Sequence, residues 1–303
     1  MEQCNPCQTP MPTNEVLKLK NDEETVDAST YRSIVGSLMY LTNTRPNISN
    51  AVNIVAQFMH KPTRSHLSAV NRILRYLKGT TDLGLLYKHD DSSELHGYAD
   101  SDWGSNLDDR KSTSGYIFML GSKSIAWGVR KQPSVALSTT EAKYMALSSA
   151  GCECIWLRQI LSEIKGKEED APTSILCDNT SAIFIAKNPI TQRRSKHIDL
   201  RFHFIWDQIE KGVIDVTHCA SEVQLANILT KALHRVRFAD RAARSSQHLP
   251  PCSALLTAPA SVHSHCLRTA RSSQQLPPYS ALVTATASMQ HAPYNNNPHA
   301  NSP

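Results

Sequence analysis

The chain has 303 residues, 40% of them hydrophobic, which is room for two domains and a sizeable core. No apolar run approaches the ~20 residues of a membrane span, and the opening MEQCNPCQTPMP is too polar for a secretory signal, so an intracellular setting, cytoplasmic or nuclear, is expected, with no membrane partner. The formal net charge of +5 belongs to the end of the chain: six of the 32 basic residues and one of the 27 acids lie from Arg235 onward, leaving 26 of each in the first 234 residues. Any grip on nucleic acid must therefore come from local patches.

Residues 1–29 are polar and lack periodic apolar positions, the pattern of an extended or disordered lead-in. Cys4-x-x-Cys7 has metal-ligand spacing, but no second pair stands near it. The eight cysteines are scattered, several among apolar neighbours, as free thiols are in a reducing compartment. Residues 30–90 read as a small helical block: Tyr31 to Leu41, Ile48 to His60 after the breaker Thr44-Arg45-Pro46-Asn47, and Leu67 to Leu77, closed by Gly79.

From residue 91 to 234 the pattern turns to mixed α and β. Leu95, Gly97 and Ala99 alternate with His96, Tyr98 and Asp100, the period of a strand. Gly115 to Leu120 and Ser124 to Trp127 read as two more strands around a Gly121-Ser122 turn. A long helix from Ser138 to Ile164 follows, its S-x-x-E start at Ser138 and Glu141. Ala142, Met145, Ala146, Ser149, Cys152, Trp156, Ile160 and Ile164 form its expected core stripe. A strand (Ser174 to Cys177), helices (Thr180 to Lys187, His197 to Lys211), a strand (Val213 to His218) and a helix (Glu222 to Leu233) complete a βββαβααβα order. The expected fold is α/β, a five-stranded mixed sheet with flanking helices. Residues 235–303 change character: Ser, Ala, Pro and His dominate. ARSSQHLPPCSALLTAPAS at Ala243 returns as ARSSQQLPPYSALVTATAS at Ala270. Two weak copies make no solenoid, so this is read as a disordered tail.

Asp100 ends one strand, Glu141 opens a helix and Asp178 follows another strand, so packing the helix on the sheet would gather three carboxylates. Each has an ordinary alternative: Glu141 in a capping box, Asp178 or Asn179 as an N-cap, Asp100 at a strand-end turn. Gathered carboxylates repel unless a cation sits among them, and oxygen ligands of this kind suit Mg²⁺. Two such ions about 4 Å apart would serve phosphodiester cleavage.

YRSIVGSLMYLTNTRPNIS, HLSAVNRILRYLKGT, GYADSDWGSN, DRKSTSGYIFMLG, SIAWGVRKQPSVALSTTEAKYMAL, LCDNTSAI, SKHIDLRFHFI and LANILTKAL together resemble the C-terminal part of copia-type retrotransposon Pol polyproteins, over residues 1 to 234. The resemblance implies the end of a reverse transcriptase followed by an RNase H-like domain. It further implies Mg²⁺-dependent hydrolysis of the RNA strand of RNA–DNA hybrids by a two-ion site. Asp100, Glu141 and Asp178 match the first three catalytic acids and metal ligands. The fourth acidic position holds Asn227, which brings a carbonyl oxygen but no charge. Asn47 likewise stands where the family carries Asp.

No polymerase site is legible, since Asp90-Asp91 and Asp108-Asp109 lie in polar, loop-like contexts; a reverse transcriptase domain upstream is an expected partner. Three basic clusters, Arg110-Lys111, Arg130-Lys131-Gln132 and Gln192-Arg193-Arg194-Ser195-Lys196-His197, are either solvated loops or holders of hybrid phosphates. His197 and His218 read as structural. Two functions follow: a Mg²⁺-dependent ribonuclease H, or a catalytically inactive nucleic-acid-binding relic of the same fold. An integrase-like transferase would want its acid on a late helix, unlike Glu141.

Overall fold

The computed structural model describes residues 3–13, 16–19, 23–87, 94–167, 170–188, 204–245 and 247–248. The basic run Arg193-Arg194-Ser195-Lys196, His197 and the repeated segment beyond residue 250 lie outside them.

Helix α1 (Ala28–Leu41) starts where Asp27 accepts hydrogen bonds from the Ser29 and Thr30 amides, at 3.1 and 2.8 Å. The single helix expected from Ile48 to His60 is instead a 3₁₀ turn (Pro46–Ile48) and a short α2 (Ser49–Ala56). Helix α3 (Arg64–Lys78) opens on a capping box of Thr63 and His66. The lead-in is extended and laid along α3: the Cys7 amide donates to the Arg75 carbonyl at 3.2 Å, and Met11 is buried. Gly79 closes α3 in a right-handed conformation (φ −84°). A Cβ there would lie 2.8 Å from that of Pro6, so the glycine serves close approach of the lead-in rather than a left-handed turn.

After the two-residue β1 (Leu83–Gly84), strands β2 (Leu95–Ser101), β3 (Thr113–Leu120) and β4 (Lys123–Lys131) form an antiparallel meander. Helix α4 (Thr139–Lys165) crosses to β5 (Thr173–Cys177), and helices α5 (Thr180–Lys187) and α6 (204–210) lead to β6 (Ile214–His218). The sheet order is β4-β3-β2-β5-β6, with β2, β5 and β6 parallel. This is the RNase H-like α/β arrangement expected from the sequence.

Both faces of the sheet are covered. On one, Leu147, Ala150, Cys154, Leu157 and Leu161 of α4 meet Ala99, Phe118, Ile175 and Val216. This is a cleaner three-and-four stripe than the expected one, whose Cys152, Trp156 and Ile164 are exposed. On the other face Ile117 and Met119 join Val35, Val52 and Ile73 of the helical block. The Trp127 indole donates to the Thr42 carbonyl at 3.0 Å across that seam. Residues 30–90 and 91–234, read from sequence as separate segments, thus share one core.

The expected helix from Glu222 to Leu233 shrinks to α7 (Asn227–Thr230). Gln224, fully buried, donates to the Ala99 and Leu176 carbonyls at 3.1 Å each, holding the preceding turn against the strand ends. Nor does the tail begin irregularly at residue 235. Helix α8 (Arg235–Ser245) buries Phe238 edge-on to Tyr76, centroids 5.6 Å apart. Arg241 donates to the carbonyls of Gln224 and Ser221 at 2.9 and 2.5 Å. Its apolar and arginine partners lie in the body of the protein, so its own composition did not reveal it. Two residues of β7 (Gln247–His248) then pair with β1.

Candidate active site

Asp100 and Asp178 meet because β2 and β5 are parallel and in register. Tyr98 pairs with Leu176, so two residues on, the two carboxylates leave neighbouring strands at the same level. Asp100 is fully buried. Its Oδ2 accepts from the Thr230 hydroxyl at 2.5 Å and faces the Lys231 ammonium at 3.4 Å. Asp178 Oδ2 accepts from the Ser221 hydroxyl at 2.9 Å.

The third group between them is not a carboxylate. Lys143 Nζ donates to Asp100 Oδ1 at 2.8 Å and also to Asp178 Oδ1. Residues two apart on a helix point about 200° apart, so the face of α4 that meets Asp100 is that of Lys143 and not of Glu141. Glu141 takes the capping alternative: its carboxylate accepts from the Leu137 amide at 2.9 Å, and its own amide donates to Ser138 Oγ at 3.1 Å. Burial works against the Lys143 charge, but Asp100 and Asp178 outweigh it and its pKa is raised. Burial likewise opposes ionisation of Asp178, yet hydrogen bonds from Lys143 and Ser221 hold its pKa below the usual value.

Asn227 joins the rim of this network. Its amide nitrogen donates to the Ser221 carbonyl at 3.0 Å, and its buried Oδ1 has no hydrogen-bond partner among the described residues. Two residues take parts at the site that no sequence motif assigns them. Asp102, whose carboxylate accepts from the Thr113 amide at 2.5 Å, has a pKa pushed up to about 6, by burial first and by Asp100 nearby. Gln132 sends one amide nitrogen to Ser101 Oγ, Ser114 Oγ and the Ala142 carbonyl, at 3.2, 2.8 and 2.9 Å. It therefore ties the end of β2 to the first turn of α4. No single-residue signal marks either of them in sequence; only the pairing of β2, β3 and α4 does.

The basic groups divide. The register pairs Asp100 with Gly115 and Ser114 with Arg130, so Arg110-Lys111 and Arg130-Lys131 flank the Asp100 end of the sheet. Arg110 and Arg130 are exposed. Lys131 is partly engaged, by Asp109 at 2.9 Å and by Gln57 at 3.2 Å. Beside them a cavity of about 210 Å³ opens between Gln132, Pro133, Met145 and Ser149. Trp103, half exposed, is pinned by a 3.1 Å bond from its indole N–H to the Ala136 carbonyl.

The donor set does not fit the pair of Mg²⁺ ions that the resemblance implies. Among the described residues no three His, Cys, Asp or Glu side chains converge as metal ligands do. Asp100 and Asp178 are matched by Lys143 and Lys231, Glu141 is turned to its cap, and Asn227 is neutral.

Comparison with known proteins agrees with the sequence motifs. No family model matches the chain. The Pol polyprotein from transposon RE2 of Arabidopsis thaliana is 43% identical over 233 residues, covering 77% of this chain and 16% of that protein. The Pol polyprotein from transposon TNT 1-94 of Nicotiana tabacum is 38% identical over 245 residues, covering 78% and 18%. The chain therefore spans under a fifth of the length of these relatives. Among solved structures, LC11-RNase H1 aligns with 93% of its length on 46% of this chain, at 12% identity and a TM-score of 0.36; strand order and direction, not that score, carry the fold. The chain belongs to the copia-type retrotransposon Pol polyprotein family, of which it carries an RNase H-like domain.

Proposed function

We propose that this chain engages RNA–DNA hybrid as a non-hydrolytic RNase H-like module of its polyprotein. The observation that carries the reading is Lys143, seated between Asp100 and Asp178 where hydrolysis of this kind needs divalent cations. Exposed Arg110 and Arg130 at the same end of the sheet support a phosphate-binding role, and Arg193, Arg194 and Lys196 are proposed to extend it. Such groups fix register without reading sequence, and hybrid shape with ribose 2′-hydroxyls would supply selectivity. A reverse transcriptase domain elsewhere in the polyprotein is the proposed partner that delivers the hybrid.

The test is a labelled hybrid, measured for binding by anisotropy and for cutting by gel in Mg²⁺ and in Mn²⁺. Binding that weakens with salt, without release of RNA fragments, is expected. The second reading, a Mg²⁺-dependent ribonuclease H, is favoured by the in-register carboxylates Asp100 and Asp178. Cutting that disappears in Asp100→Asn would establish it in place of the first.

A further inference from the structure

Crowded, buried carboxylates demand positive charge, and the fold offers two sources: an ion from solution or a side chain. Here the side chain occupies the place. We propose that Lys143 is the resident cation of the Asp100–Asp178 pair, and that its ammonium, together with hydroxyl donors, shuts this site to divalent ions. The inference rests on the non-hydrolytic reading of the same site and adds its physical cause.

Three observations converge. First, all four carboxylate oxygens are already accepting: Lys143 takes one from each residue, Thr230 the other of Asp100, Ser221 the other of Asp178. Second, charge is balanced, because Asp100 and Asp178 face Lys143 and Lys231. A Mg²⁺ ion entering without displacing an ammonium would leave the cluster at about +2, a repulsion that the burial of Asp100 and Asp178 strengthens. Third, Lys143 is anchored rather than visiting. Its side chain is only 13% exposed, and it leaves a helix turn fixed by Ser138, Glu141 and the Gln132 bond to the Ala142 carbonyl. Mg²⁺ sheds its waters reluctantly and needs open oxygen ligands in near-octahedral array. Each of these oxygens already carries a donor that an entering ion would have to displace or crowd.

Position 143 is then the one that decides whether this fold binds metal. Lys143→Glu removes the resident cation and adds a third carboxylate on the same face of α4. Lys143→Gln removes the charge alone.

The test uses the full chain, with Mn²⁺ as the counted probe and thermal unfolding as the second readout. Wild type is expected to bind no Mn²⁺ that Asp178→Asn abolishes, and to unfold at the same temperature in chelator and in Mn²⁺. Lys143→Glu is expected to unfold earlier in chelator, to take up Mn²⁺ saturably, and to regain about 2–4 °C or more with it; adding Asp178→Asn should erase the gain. Should that variant not fold, Lys143→Gln is expected to show the earlier unfolding in chelator. A Lys143→Gln chain as stable as wild type in chelator overturns the proposal, as does wild-type Mn²⁺ binding lost on Asp178→Asn. Hybrid binding is measured separately. Its absence would end the functional reading while leaving the cation result standing.

Discussion

Glu141 and Lys143 sit two residues apart and do unlike work: one closes a helix end, the other neutralises two buried acids. Glu141→Ala should therefore lower stability by about 0.5–2 kcal/mol through the lost cap and leave hybrid affinity unchanged; unfolding and anisotropy together check this. Gln132→Ala should cost more, about 1–3 kcal/mol, because the Ala142 carbonyl and two serine hydroxyls lose their shared donor. Asp102 supplies a pH signature. Its folded pKa of about 6 exceeds the ordinary value of 3.8, so the folded state holds the extra proton between them, and stability falls as pH rises through that window. Asp102→Asn should flatten the loss in denaturation midpoints taken from pH 4 to 7. Asp178 acts oppositely: its lowered pKa gives stability that disappears as pH falls below the usual carboxylate range.

Among elements, α4 and α8 show where sequence reading succeeds and where it stops. The start of α4 was legible because Ser138 and Glu141 are a local signal, complete within one turn. Which helical face meets Asp100 was not, since a two-residue difference is decided by the tilt of the helix on the sheet. The pairing of Asp100 with Asp178 was legible because strand ends are marked by composition, and parallel register then brings them level. Helix α8 was missed because its stability comes from partners outside its own segment, distant Tyr76 and the turn of Ser221 and Gln224. Ending the chain before Phe238 should accordingly lower the unfolding midpoint, and Phe238→Ala alone should cost about 3–5 kcal/mol. Ending it after His248 should not, if the repeated segment adds no apolar face of its own.

At the scale of the molecule, both faces of the sheet are covered. Ile117, Met119, Trp127 and Val129 are covered by the helices that precede them in sequence. The five-strand order was readable from alternation and turn residues, but the shared core was not, because periodicity reports that a helix has an apolar side and never names what covers it. A fragment of residues 91–234 should consequently be poorly soluble or lose cooperative unfolding, whereas a fragment that keeps α1 to α3 and α8 should unfold in one transition. The body's balanced charge also sets an expectation for binding: charge reversal at Arg130 should reduce the salt slope of hybrid affinity by about 0.7–0.9 for each phosphate that is no longer neutralised. The strap formed by α8 has a consequence in time. A ribosome releases α1 to α3 before the meander that completes their core, and α8 after both. Until α8 emerges, Tyr76 and the turn around Ser221 and Gln224 lack their lid. A stop codon or frame change just upstream of Phe238 thus yields a chain that carries α1 to α7 without the helix that covers Tyr76 and the Ser221–Gln224 turn.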